Sequence, residues 1–399
     1  MGEPLPPTTS VAQRYGLDAT QERWRCAAAR FAREVAAPRV RENDRAGRFD
    51  RDLVRRLGAE GLLGAGLPAA AGGGGAGALA AALVAEEVGA VDGSLRGFMA
   101  VQAGLVLTPL LAHGTPAQRA TWVPRLMSGE AIGCYGLTEP GAGSDVASIA
   151  TTVREEGNHA VIDGEKVWIT NGGVADVALV FAQAEPGSGR KGLECWLVPT
   201  STPGLRAEPM PGRELGHRAS NHAHLVLQGV RVPRENRVGA ARGGHALAME
   251  ALEKGRLNVA AGAVGMHRAA LEACVAFART RRQFGQRVGD FQQVGAELAD
   301  MGCELEAARL LVHHAARLVD RGLPSAEAVA QAKLYATEAA LRACTKAVQL
   351  HGSRGYSDEL PVERLYRDIV ALTIYEGTSH VQRVILSRHL LGKDEGARR

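Results

Sequence analysis

Four stretches of this chain combine side chains that could do chemistry together. The first is Ile374-Tyr-Glu-Gly-Thr-Ser-His380, a carboxylate just ahead of a helix start and followed by glycine. In apolar surroundings such a carboxyl group holds its proton more tightly and becomes a general base. The plainer reading is that acidic residues favour helix starts anyway. The second is Tyr135-Gly-Leu-Thr-Glu-Pro-Gly-Ala-Gly-Ser-Asp145. Gly141 and Gly143 let backbone N–H groups approach a ligand closely, and Ser144 could donate to a phosphate or carbonyl; otherwise this is a glycine-rich turn. The third is Gly164-Glu-Lys-Val-Trp-Ile-Thr-Asn-Gly-Gly173. Trp168 and Thr170, two apart on one strand face, could flank a flat ring system, or the Trp could simply be packed before an Asn-Gly turn. The fourth is Arg279-Thr-Arg-Arg-Gln-Phe-Gly285, where guanidiniums beside Phe284 suit a pyrophosphate and an adenine. Cationic complementation of a helix C-terminus explains the same residues.

The elements that must position these stretches change character twice. Residues 20–127 read as helices. One stripe carries Trp24, Ala27, Ala28, Phe31 and Val35, and a second carries Leu53, Val54, Leu57 and Leu62. Further apolar helices cover 78–91 and 94–113, the latter ended by Gly114 and Pro116. Short β-rich runs follow at 132–137, 151–154, 159–162, 177–182, 193–198 and 224–227. No helix-length segment separates them, which implies antiparallel connections. Long helices then return at 247–282, 288–321 and 325–351, with Ser325 as an N-cap. Two shorter helices follow at 360–374 and 379–391, the last opened by a Ser379-to-Gln382 capping box. The fold class is therefore α+β: an N-terminal α-helical domain (1–130), a middle antiparallel β-domain (131–243) and a C-terminal four-helix bundle (244–399). Residues 393–399 are expected to fray.

Composition narrows the function. Lys+Arg 47 against Asp+Glu 43 leaves +4 in 399 residues, spread along the chain, with no basic stripe for nucleic acid. The uncharged stretch 61–85 contains Pro68 and the run Gly72–Gly75, so it reads as a loop before a buried helix rather than a membrane span. The N-terminus has neither a signal-peptide nor a myristoylation pattern. Six scattered cysteines without CxxC spacing read as reduced thiols, so a cytoplasmic location is expected. His222/His224 and His313/His314 lack an evident third ligand, and no metal is expected.

Taken together, in this order, the four stretches resemble the acyl-CoA dehydrogenase flavoenzymes over about residues 28–391, with weaker support from Leu215–Ser220 and Gly229–Pro233. The resemblance implies FAD between the middle domain and the bundle, and a homotetramer built as a dimer of dimers. It implies Glu376 as the base that removes the α-proton of an acyl thioester. Some relatives place this base on the long bundle helix, where this chain has Gly255. The Glu376 N–H and a ribityl hydroxyl would bind the thioester carbonyl. Leu137 and Thr138 would meet the flavin pyrimidine edge, and Ser144 the pyrophosphate and the substrate. Trp168 would shield the ring, with Thr170 near N5. Arg281, Gln283, Phe284, Gln349, Gly352 and Gly355 would reach the FAD of a neighbouring subunit. Thr378 and Gln382 would touch the same cofactor, and Arg256, Tyr375 and Gly377 would shape the substrate site. Ser353 and His380 depart from the family pattern.

Arg96, in an apolar helix, resembles an arginine of glutaryl-CoA dehydrogenases that grips a distal carboxylate. An internal ion pair to Asp92, Glu86 or Glu87 is the alternative. The implied partners are an acyl-CoA or acyl-carrier-protein thioester and an acceptor such as electron-transfer flavoprotein. An oxidase, a carrier-protein-linked biosynthetic dehydrogenase and a catalytically inactive flavin-binding relative are the competing readings.

Overall fold

The computed structural model describes residues 10–392; the tail expected to fray lies outside them. The first unit is helical: α1 (Val11–Tyr15), α2 (Ala19–Phe31), α3 (Ala37–Ala46), α4 (Arg51–Ala59), α5 (Gly77–Gly89), α6 (Gly93–Met99), α7 (Thr108–His113) and α8 (Pro116–Met127). The glycine- and proline-containing loop ahead of α5 and the burial of α5 follow the sequence reading. α6 and α7 form one continuous helix through a π-helical stretch, Ala100–Leu107, that ends just before Pro109. Proline cannot donate to the preceding turn, and a wide turn absorbs the mismatch. This helix, Gly93–His113, is long and apolar enough to cross a membrane, but two-thirds of it is buried here as a core element.

The middle unit contains β1 (Gly133–Gly136), β2 (Thr152–Glu156), β3 (His159–Thr170), β4 (Val177–Gln183), β5 (Leu193–Pro199), β6 (Leu205–Pro209), β7 (His222–Pro233) and β8 (Arg237–Val238). The wholly antiparallel expectation is corrected: β1 runs parallel to β4, and β2 touches β4 in parallel at Thr152. The remaining pairs are antiparallel. A parallel return needs only enough chain to cross over. Here the β2–β3 hairpin supplies it between β1 and β4, without a helix.

The last unit starts with α9 (Gly244–Thr280). Chain reversal through a two-stranded hairpin, β9 (Arg282–Gln283) and β10 (Gln286–Arg287), leads into α10 (Gln292–Asp320), α11 (Ala326–His351), α12 (Val362–Leu372) and α13 (Ser379–Leu390). Alanine dominates the buried faces of α9 and α11, which lets these helices pack closely. Two caps differ from expectation. Ser325 makes no cap hydrogen bond; its hydroxyl donates to Glu253. α13 is capped by Thr378, which accepts from the Val381 N–H, while Gln382 turns inward.

Candidate active site

The three units meet at one cleft. Its wall is built by Arg96 on α6, Leu105 on the π-helical stretch, Leu137 and Thr138 after β1, Trp168 and Thr170 on β3, and Tyr375 and Glu376 between α12 and α13. Residues from four separate sequence stretches are thereby brought together.

The loop after β1 is pinned from below. Lys166, fully buried, pairs with Glu139 at 2.6 Å and donates to the Leu137 carbonyl at 3.3 Å. Glu139 also accepts from the Ala150 and Thr151 N–H groups. Burial pulls Lys166 down to about 8, with Glu139 opposing. The β3 ladder bulges here, so that the Val167 N–H reaches the Thr138 carbonyl at 2.9 Å. Trp168 takes a left-handed conformation (φ 58°), which breaks simple strand alternation, yet its half-exposed ring and Thr170 still face the same cleft. Removing one partner of such a buried pair costs about 3–5 kcal/mol. Lys166→Met is therefore expected to lower the unfolding free energy by about that much in urea titration; a loss under about 1 kcal/mol would contradict this role.

Glu376 and Gly377 form a turn of two consecutive left-handed residues, φ 56° and 86°. For Glu376 that strain is of order 1–3 kcal/mol. Three elements hold it. Arg256 Nε on α9 donates to the Glu376 carbonyl at 3.2 Å. Gln382 Nε2 on α13 donates to the Glu376 and Gly377 carbonyls at 3.4 and 2.9 Å. Lys333 Nζ on α11 donates to the Gly377 carbonyl at 2.9 Å. The turn aims the carboxylate at α9 where there is no side chain: a Cβ on Gly255 would lie 1.9 Å from Glu376 Oε2. Glu376 opens onto the cleft, but Oε2 itself is buried without a hydrogen-bond partner. Burial raises this carboxyl group to about 7, against the pull of Arg256, Arg96 and Lys333.

Arg96 is fully buried and makes none of the expected ion pairs. Glu86 is taken by Arg309, Glu87 by Arg25 and Arg268, and Asp92 caps the Leu95 N–H. Arg96 Nη2 instead donates to the Tyr375 hydroxyl, and its guanidinium carbon lies 5.7 Å from that ring. Nε and Nη1 have no partner. A buried cation in this state has unfilled demand for an acceptor. Its stem packs where a Cβ on Gly262 would come within 2.5 Å. Gly255 and Gly262 are two turns apart on α9, so Glu376 and Arg96 touch this helix roughly 10 Å apart at 1.5 Å per residue.

Of the other candidate residues, His222 also lines this cleft, while Ser144 and the residues of the β9–β10 hairpin and the loop after α11 do not. Ser144 is exposed, and a Cβ on Gly141 or Gly143 would meet only open space. Arg281 follows the end of α9; Gln283 and Phe284 stand on the β9–β10 hairpin, whose tip carries Phe284 at 93% exposure. The fourth stretch thus runs from the last turn of α9, which holds Arg279 and Thr280, into a hairpin. Gln349 and Gly352 are exposed, while Gly355 is buried under them. His222 and His224 bond to Glu214 and Glu165, and no metal-ligating cluster of three occurs among the described residues. Lys333 and Lys166 carry no sequence signal of burial: α11 holds a second lysine, Lys346, and Lys166 follows Glu165 on β3.

Family models for the acyl-CoA dehydrogenase N-terminal, middle and C-terminal domains match residues 18–130, 134–230 and 242–391. The chain belongs to the acyl-CoA dehydrogenase family. It is 40% identical to a probable acyl-CoA dehydrogenase, YngJ, of Bacillus subtilis (strain 168), over 90% of this chain and 95% of that one. Butyryl-CoA dehydrogenase from Megasphaera elsdenii superposes with a TM-score of 0.91 at 35% identity, covering 94% of this chain and 99% of the other. Glutaryl-CoA dehydrogenase from Mycobacterium smegmatis does so with 0.91 at 34%, covering 97% and 99%. Acyl-CoA dehydrogenases are FAD enzymes, and this chain is accordingly an FAD-dependent acyl-CoA dehydrogenase.

Proposed function

We propose that the protein oxidises a short acyl-CoA thioester between its α- and β-carbons, with Glu376 as the base. The observation that carries this is the partnerless Glu376 Oε2, aimed from a strained turn over the bare backbone of Gly255. An α-proton beside a thioester is weakly acidic, so the base must have a pKa near the working pH and the enolate must meet fixed donors. Glu376 meets the first condition through burial. Its own N–H, with φ fixed by Arg256, Gln382 and Lys333, is the donor for the thioester carbonyl.

The cleft residues fit FAD. The half-exposed Trp168 ring offers a flat apolar face, Thr138 and Thr170 offer hydroxyls beside it, and the open space over Gly141 and Gly143 leaves room for phosphates near Ser144. When bound, FAD supplies the acceptor for the β-hydrogen as hydride. Thr378 and Gln382 lie beside the Glu376–Gly377 turn to hold it from the bundle side. Arg281, Gln283, Phe284, Gln349, Gly352 and Gly355 serve the FAD of a neighbouring subunit in a homotetramer; the exposure of Phe284 supports this. Electron-transfer flavoprotein is the acceptor and the cytoplasm the location we assign.

A second, narrower reading is favoured by Arg96. From an α-carbon, three bonds span about 3.5 Å, the length of one extended residue, and contacts of roughly 3 Å at either end bring the reach to about 10 Å. That matches the spacing of Glu376 and Arg96 along α9. A dicarboxylic acyl group of the glutaryl type would place its far carboxylate on the unpaired Nε and Nη1.

The test is anaerobic titration of the yellow holoenzyme with butyryl-CoA, glutaryl-CoA and the same acyl groups on carrier protein. Flavin bleaching by the short CoA esters is expected. Bleaching only by carrier-protein thioesters would replace the CoA reading. A further expectation concerns Gly255→Ala, which pushes the carboxylate aside. Displacing a reacting group by about 1 Å costs around 100-fold, so kcat should fall by that factor with FAD content unchanged. A full-rate Ala variant would mean that the carboxylate works from elsewhere.

A further inference from the structure

The mechanism so far uses Lys333 only as one of three donors to the turn, yet its placement is unusual. It is a wholly buried lysine on α11, flanked on its helix face by Val329, Ala330, Ala336 and Thr337. Its ammonium donates to the Gly377 carbonyl at 2.9 Å, immediately after Glu376. A cation confined there has its charge directed at one feature, the Glu376–Gly377 turn.

We infer that Lys333 is the positioning residue of the proton-abstracting turn: its ammonium clamps the Gly377 carbonyl, holds Glu376 left-handed, and keeps the Glu376 carboxylate charged while it waits for substrate. This rests on Glu376 being the base. Other charged or titratable groups face Glu376 from every side: Arg256 on α9, Arg96 on α6, Tyr135 on β1 and the neighbouring Tyr375. Lys333 is itself faced by Arg256 and by Glu338 on its own helix. Neither arginine bonds to the Gly377 carbonyl: Arg256 donates to the Glu376 carbonyl and Arg96 to the Tyr375 hydroxyl. Lys333 alone combines a contact to that carbonyl with a charge that can be lost. Burial brings it down to about 8, while Glu376 opposes this. Burial likewise holds the Glu376 carboxyl group above its usual range, and the Lys333 ammonium opposes this.

The sign follows directly. A neighbouring cation lowers a carboxyl pKa, so removing it raises that of Glu376, and the acid limb of kcat/KM must move to higher pH. The experiment compares pH profiles of the FAD-loaded wild type with Lys333→Met, Lys333→Gln and Lys333→Arg. In parallel, the Glu376 carboxyl band is titrated by infrared difference spectroscopy against Glu376→Gln. Met and Gln are expected to shift both the limb and the band upward by about one pH unit, and Arg to restore the wild-type values. Gln retains a donor for Gly377 and so guards against loss of folding, which FAD content reports. An unshifted limb and band in an FAD-containing Met or Gln variant overturns the inference. So does failure of Arg to restore them. A Glu376→Gln enzyme with normal turnover would instead remove the underlying assignment of the base.

Discussion

Glu376→Gln is expected to bind FAD as the wild type does and to lose flavin reduction by acyl-CoA by about 10²–10⁴-fold, the usual worth of a positioned general base. The substitution is nearly isosteric, and the contacts that hold the turn are made to backbone carbonyls, so the φ 56° conformation should survive. What disappears is the carboxylate that, among the described residues, meets the space over Gly255. Rapid mixing under anaerobic conditions reads the effect; a rate within tenfold of wild type would mean that another group removes the proton. The wild-type pH profile supplies a companion check. Burial raises Glu376 to about 7, and only its ionised form is a base, so kcat/KM should rise with pH through about 7 and level off above. The same burial means that this carboxyl group favours folding when protonated. Its contribution to stability is fully present below its unfolded pKa and is lost as pH rises through about 7.

Arg96→Gln is expected to change which substrate is preferred. Truncating one partner of a buried charge pair costs about 2–5 kcal/mol, so kcat/KM for glutaryl-CoA should fall by about 30- to 5,000-fold. For butyryl-CoA, which has nothing to offer the guanidinium, the change should stay under about tenfold. A parallel fall for both esters would reduce Arg96 to a support for Tyr375. The protein should not be destabilised, because two of the guanidinium nitrogens already lack partners and a buried uncompensated charge is itself unfavourable. Thermal unfolding of the same variant measures that directly.

The order helices, strands, helices was legible because hydrophobic period changes from about 3.6 to 2 and back, and periodicity is a local property. Cleft residues as distant as Thr138, Trp168 and Glu376 could be grouped because their motifs occur in a recognisable order. Strand direction was not legible: β1 and β4 pair in parallel because of where the β2–β3 hairpin returns the chain, which no local pattern records. β6, Leu205-Arg-Ala-Glu-Pro209, alternates apolar and polar residues but is only five residues long, ends in proline and is mostly exposed, so its alternation marks no buried face. The choice of Thr378 over Ser379 as the α13 cap depends on where the left-handed pair Glu376–Gly377 releases the chain. Both residues carry hydroxyls, so composition could not decide. The fate of Arg96 depended on which acids its neighbours had already claimed. Lys333 and Lys166 look like ordinary charged residues until their faces are seen to be buried.

The most direct test of the central claim, that the Glu376 carboxylate takes the α-proton, is hydrogen exchange at that carbon. Wild-type holoenzyme in deuterium oxide is mixed with an acyl-CoA analogue whose β-position cannot give up hydride, and loss of the α-proton signal is followed by NMR. The account predicts ready exchange with the wild type and none above background with Glu376→Gln. Equal exchange by both proteins would contradict it.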